Sequence, residues 1–351
     1  MAEGYANVRS VIWLLFLACA VMLATSAGAA SCTTQSQMTP VERDALASAA
    51  RNMLWQVQTG NVQTLRDSAI PAVASDFNGI IRSVNHLQPL VKAATITVDD
   101  VYLLDASSDT AGATQMDFFC GSPVVALNFP GLTPGTYALA IVHATGVPQP
   151  QQLSLILSKS ADSRWLLAGF FVKPMIAAGH DGLWYWTSAR KYAQAKMDWG
   201  AWFYYRLAAN LLDPLDFLSS PNLEKLQHEA DLIRPPDLPG KAAMTFYTQG
   251  ELMTVSAIDT TTALGGLDLD VHYTPDAAQA LQLHDPPSAR RQVTAVMAEL
   301  LKMHPELQPA FHGIWVHADQ GTASLFALEL PMDQIATGSA PAATPPDARS
   351  R

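Results

Sequence analysis

The feature that most restricts how this chain can fold is a change of hydrophobic period near residue 95. Between residues 40 and 92, apolar side chains recur every three or four positions, the period of one helix face. From residue 95 to 173 the pattern changes. Five stretches, 95–104, 124–129, 137–144, 152–158 and 164–173, are rich in β-branched and aromatic residues. Pro130-Gly131, Pro134-Gly135, Gly146-Val147-Pro148 and Ala161-Asp162-Ser163 punctuate them as turn formers. Helices first and strands after predict an α+β domain, with N-terminal helices packed on a curved antiparallel sheet.

The first helix has the clearest boundary. In Thr39-Pro40-Val41-Glu42 the Thr39 hydroxyl can accept the Glu42 N–H, and the Glu42 carboxylate can reach back to the Thr39 N–H. Pro40 stands where a helix needs no donor. The spacing predicts a helix over 40–58 with Leu46, Ala50, Met53, Leu54 and Val57 on its apolar face, ended by Gly60-Asn61. Further helical stretches are expected over 62–77 and 79–92.

This order resembles the nuclear-transport-factor-two-like (ketosteroid-isomerase-like) cone over residues 37–175. The resemblance rests on Gln58-Thr59-Gly60-Asn61 closing the first helix. It also rests on a last strand made of a turn, an aromatic and an apolar run, Asp162-Ser163-Arg164-Trp165-Leu166-Leu167-Ala168-Gly169-Phe170-Phe171-Val172. It implies an open-ended cone whose mouth holds a small apolar molecule or a partner's side chain. In the family's enzymes the mouth carries an Asp base and an acidic or Tyr donor. Here Asp99, Asp100 and Tyr102 share one early strand, but alternation sends Asp99 and Asp100 to opposite faces. They are expected to be strand-edge polar groups.

A second segment spans 178–233. Nine aromatics fall in the 22 residues from Trp184 to Tyr205. Tyr185, Ser188, Ala189 and Tyr192 are followed by Ala201, Tyr205, Ala208 and then Asp213-Pro214. This spacing resembles a single tetratricopeptide helical hairpin over about 181–214. The resemblance implies two helices brought close by the small residues, with Tyr185, Ala189, Tyr192, Ala201, Tyr205 and Ala208 as its motif positions. One such hairpin cannot bury its own face, so it must pack on its neighbours or on a partner. Trp184, Trp186, Trp199 and Trp202 are the expected ligand or partner contacts. Ser220-Pro221 starts another helix, and residues 234–241 read as a Pro-rich linker.

The third segment, 242–332, reads β-β-α-β-β. Strands are expected near 243–247, 252–258, 267–273, 314–318 and 323–330, and a helix over 288–303 carries Val293, Val296, Leu300 and Leu301. Residues 333–351, rich in Ala, Pro, Ser and Thr, are expected to be a disordered tail.

The amino terminus predicts export. Val11 to Leu23 is apolar, Arg9 precedes it, and small residues from Ala24 to Ala30 follow, as in a signal peptide over 1–31. An uncleaved anchor helix is the alternative. Cys32 and Cys120 are then the cysteines outside the leader. They could form a disulfide in an oxidising compartment, Cys32 could carry a lipid, since Ala29-Ala30-Ser31-Cys32 resembles a degenerate bacterial lipobox, or both could stay free thiols. A membrane is expected to be met only through the leader or that lipid. A formal charge of −10 argues against binding a nucleic-acid backbone.

Catalytic signatures are weak. Ser188 to Lys191 matches S-x-x-K without its companion motifs, and His228-Glu229 lacks a second His. His180-Asp181 reads as a turn and helix cap. Asp268, Asp270 and His272 alternate with apolar residues, so they share one strand face. Carboxylates and imidazole are plausible metal ligands, but neighbours two apart on a strand are about 7 Å distant. One ion could touch adjacent members but not all three, and a bare, wet sheet face without metal or cofactor is the plainer expectation. His312 and His317, five apart, are expected on opposite faces. The chain is therefore read as a non-catalytic exported envelope protein that binds a protein partner or an apolar small ligand. The alternatives are an isomerase- or hydrolase-type enzyme using the cone pocket, and an envelope glycan binder using exposed aromatics.

Overall fold

The computed structural model describes residues 30–107, 115–121 and 124–336. The apolar leader at 11–23 lies outside the described residues, as does the chain from 337 onward. Residues 333–336 of the expected tail are helical.

Strand β1 (Ser31–Thr34) precedes helix α1 (Pro40–Thr59). The Glu42 N–H donates to Thr39 Oγ1 at 3.3 Å and the Thr39 N–H donates to Glu42 Oε2 at 3.1 Å, so the capping box forms. Leu46, Ala50, Met53, Leu54 and Val57 are all buried, each contributing on the order of 1–3 kcal/mol of apolar burial for the larger side chains. Gly60, at φ 69°, ends the helix in the left-handed region. The expected helix over 62–77 is instead two short ones, α2 (Val62–Asp67) and α3 (Pro71–Ser75). Pro71 disfavours a helical conformation for its predecessor, and Ile70 before it is extended. Helix α4 (Asn78–Val91) follows.

Next come β2 (Thr95–Asp105), β3 (Gln115–Cys120), β4 (Val125–Pro130), β5 (Thr136–Thr145), β6 (Gln151–Lys159) and β7 (Trp165–Pro174). Strands β1-β2-β5-β6-β7 form an antiparallel five-stranded sheet. Helices α1 and α4 cover one face through Leu54, Val57, Leu87 and Val91, packed against Val101, Val142 and Leu155. The other face carries a three-stranded sheet that includes β3 and β4, over a core of Phe118, Leu127, Leu139 and Ile156. Cys32 on β1 is joined to Cys120 on β3 by a disulfide with Cα atoms 5.1 Å apart. In this form Cys32 carries no lipid.

A small ribbon, β8 (Ile176–Ala177) and β9 (His180–Asp181), leads into α5 (Gly182–Gln194) and α6 (Asp198–Leu212). Asp181 caps α5, its carboxylate accepting the Trp184 N–H at 2.8 Å. Tyr185, Ala189, Ala201, Tyr205 and Ala208 are buried, and Tyr192 is partly so. After α6 the chain turns back: β10 (Leu218–Ser219) pairs with β4, and Phe217 packs against Phe129 and Phe171. Helix α7 (Pro221–Leu232) then starts at the Ser220 cap.

The segment 234–241 is not free. Leu238 is buried, and the Trp199 indole N–H donates to Asp237 Oδ1 at 3.3 Å. The last part runs β11 (Met244–Thr248), β12 (Glu251–Thr261), β13 (Asp268–Tyr273), α8 (Ala277–Gln282), α9 (Pro286–Met303), β14 (Gly313–Gln320), β15 (Ala323–Pro331) and α10 (Met332–Ala336). The three strands expected at 243–247, 252–258 and 267–273 all form ahead of the helices, one more than the β-β-α-β-β shorthand counts. The sheet order is β11 to β15 in sequence, antiparallel except for the parallel pair β13–β14. A parallel pair needs a long crossover, and α8 and α9 supply it. Val293, Val296, Met297 and Leu300 of α9 cover one sheet face. The hairpin joins the same core through Phe203 against Phe311, at 5.8 Å between ring centroids, and through the Tyr204 hydroxyl donating to Ala310 O at 2.6 Å.

Candidate metal centre

The face of the C-terminal sheet turned away from α9 carries the site. Along β13, Leu269, Val271 and Tyr273 point into the core, so period two sends Asp268, Asp270 and His272 to the other side. The parallel register sets His272 beside His317 and Asp270 beside Trp315. Trp315, His317 and Asp319 alternate on β14 as the three polar residues do on β13.

Three donor atoms converge here. Asp270 Oδ1 is 3.2 Å from His317 Nε2 and 3.4 Å from His272 Nε2. One ligand atom from each of Asp270, His272 and His317 lies within 4.8 Å of the others. Asp270 Oδ1 and His317 Nε2 are buried, and neither has a hydrogen-bond partner among the described residues. The two imidazoles are stacked, 4.7 Å apart and 13° from parallel, with Trp315 against His317. His272 Nδ1 lies 2.6 Å from Asp319 Oδ2. With the Asp319 carboxylate accepting from Nδ1, the ring is oriented so that Nε2 faces Asp270 Oδ1, where the neutral imidazole would offer its lone pair to an ion. Burial pushes the His272 pKa down, but the carboxylates of Asp319 and Asp270 outweigh it and the net shift is upward.

Asp268 stands apart from the other two members of its strand. It is fully buried, at 0% exposure, and bonds His312 Nδ1 through Oδ1 at 2.9 Å. His312 precedes β14 rather than lying within it, so strand alternation does not apply to it. It joins a different group from His317. Asp268, His312 and Glu329 form a second convergence within 4.8 Å. Burial, and then the neighbouring Asp268, push the Glu329 pKa up, while His312 pulls it down.

The other expected sites fare differently. Trp199 and Trp202 are 3% and 8% exposed, so they are core residues and not contacts for a partner or a glycan. The Trp186 indole N–H is spent on Glu229 Oε2 at 2.8 Å, with the Arg190 guanidinium 4.4 Å above its ring. Trp184 remains 40% exposed and stacks on His180 at 3.6 Å. In residues 37–175 the buried polar side chains are Gln151 and Ser154. No Asp, Glu or His is buried among the described residues there. Asp99 sits at a bulge in β2 and pairs with His143 Nδ1 at 2.8 Å, and Asp100 accepts from Gln35 Nε2 at 3.1 Å.

His317, Asp319, His312 and Glu329 are the residues that sequence reasoning did not bring to the site. The signal was present in part: Trp315, His317 and Asp319 repeat with the same period as Asp268, Asp270 and His272. No family model, curated protein or solved structure matches this chain.

Proposed function

We propose that the chain is a non-catalytic exported binding protein whose ligand is a divalent transition-metal ion of the zinc type, held by Asp270, His272 and His317. The observation that carries this reading is the convergence of three donor atoms with His272 already oriented by Asp319. Zinc binds imidazole and carboxylate at about 2.0–2.2 Å in tetrahedral geometry, which separates its donors by about 3.3 Å. The 3.2 and 3.4 Å separations match that edge. Two imidazoles and one carboxylate suit zinc or ferrous iron better than calcium or magnesium. Three protein donors leave a position for water or an exchanging ligand. The His272 side chain is 33% exposed and is the most solvent-facing of the three.

The apolar run at 11–23 and the Cys32–Cys120 pairing both support a place outside the cytoplasm, where disulfides persist. Zinc titration against a competing chromophoric chelator tests the reading. Wild type is expected to hold zinc, and His317→Ala to weaken that site by at least about tenfold, since loss of even a supporting residue costs that much. Equal zinc affinity in the two proteins would refute it.

A further inference from the structure

Beside this centre, and independent of it, the geometry points to a second divalent-cation site formed by Asp268, His312 and Glu329. It is richer in oxygen than the first and suits a harder ion such as Mn²⁺, or Zn²⁺. The fully buried Asp268 is the first support. Its Oδ2 has no hydrogen-bond partner among the described residues, and neither does the buried Oε1 of Glu329. A buried carboxylate oxygen without a partner is expensive, and here two occur in one cluster.

The backbone makes room for this grouping. Gly313 lies beneath both carboxylates: a Cβ there would come within 2.7 Å of Glu329 Oε1 and 3.0 Å of Asp268 Oδ1. Gly266 lies beneath His312, and a Cβ there would collide with the imidazole. Close approach of His312 accounts for Gly266, whereas at Gly313 the Leu330 backbone carbonyl, 2.6 Å from such a Cβ, is a nearer obstacle than either carboxylate.

The chemistry differs from that of the first centre. Deprotonated to bind metal, two carboxylates and one imidazole would supply two negative charges, which a divalent ion balances. Oxygen donors with one imidazole favour Mn²⁺, Fe²⁺ or Zn²⁺. His312, with its side chain 51% exposed, is the solvent-facing member through which an ion reaches Asp268. Asp268 and Asp270 are two residues apart on β13, hence about 6.6 Å. Co-catalytic metal pairs lie about 3.5–4 Å apart, so the two ions would be bound separately and would not share a bridging water.

Equilibrium dialysis of the exported chain against buffered Zn²⁺, and separately Mn²⁺, with metal counted by mass spectrometry, tests this. His312→Ala removes a half-exposed side chain and Glu329→Gln removes a charge while keeping shape, with circular dichroism checking that each stays folded. With both sites real, wild type loads two Zn²⁺, while His312→Ala, Glu329→Gln and His317→Ala each load one. Mn²⁺ loading is lost in His312→Ala and Glu329→Gln but kept in His317→Ala. If wild type loads one ion that His317→Ala loses and His312→Ala keeps, the second site is refuted and the first stands. If the single ion is lost in His312→Ala and kept in His317→Ala, the second stands and the first falls. Folded wild type that loads neither metal overturns both.

Discussion

Glu229→Gln should destabilise the chain at neutral pH and lose that effect in acid. Arg190 donates to both carboxylate oxygens of Glu229, at 2.8 Å from Nε and 2.7 Å from Nη2, and Trp186 Nε1 adds a third bond at 2.8 Å. These bonds tie α5 to α7. The Arg190 bonds lower the Glu229 pKa most, burial opposes them, Trp186 adds to the lowering, and the net value falls from 4.5 to about 2. At about 1.4 kcal/mol per unit that is at most about 3.4 kcal/mol. Arg190 is 41% exposed, and screening reduces the figure to about 1–2 kcal/mol. The sign follows from linkage. A carboxyl depressed in the folded state stabilises fully above its unfolded pKa and loses that contribution as pH falls through the folded value. The window is therefore about pH 4.5 down to 2, and more than half of the effect is gone by about pH 3. Urea unfolding of wild type and Glu229→Gln at pH 7, 5 and 3 reads it directly. A difference that stays constant across those pH values, or is absent at pH 7 in low salt, would refute the reasoning.

Two further outcomes follow from the geometry. Asp319→Asn should keep the fold but weaken zinc at the first centre by about 10- to 100-fold, because it removes the carboxylate that orients His272. Competition against a chelator measures it, and Asp319→Glu should restore part of the loss. Reducing the Cys32–Cys120 bond, which spans 88 residues, should cost about 2–5 kcal/mol. Calorimetry with and without a phosphine reductant should show the melting temperature fall by about 5–15 °C, and no change would count against a structural role for the bond.

The local signals were readable where local physics decides. The α1 cap, its five buried residues and its glycine stop all follow from neighbours within four positions. Strand β3 shows why reading thinned elsewhere: Gln115 to Cys120 alternates cleanly in burial, yet its sequence carries little β-branched character. The metal centre was legible only on one strand. Asp270 and His272 are on one face by period two, but His317 reaches them through a parallel pairing made across the 274–312 crossover. No spacing rule carries that register. The Pro-rich linker expected at 234–241 carries no helix or strand, but the prolines gave no sign that Leu238 would be buried or that Asp237 would accept from Trp199 of the hairpin.

The return of Leu218 and Ser219 to β4 after the hairpin means the two sheets are stitched by more than one thread. Severing the peptide at 178, or at 234, would leave each piece holding contacts that belong to the other. Pulling the two pieces apart would therefore have to unzip the Leu218–Ser219 pairing with Ala126–Leu127 as well as break the connection at 174–182.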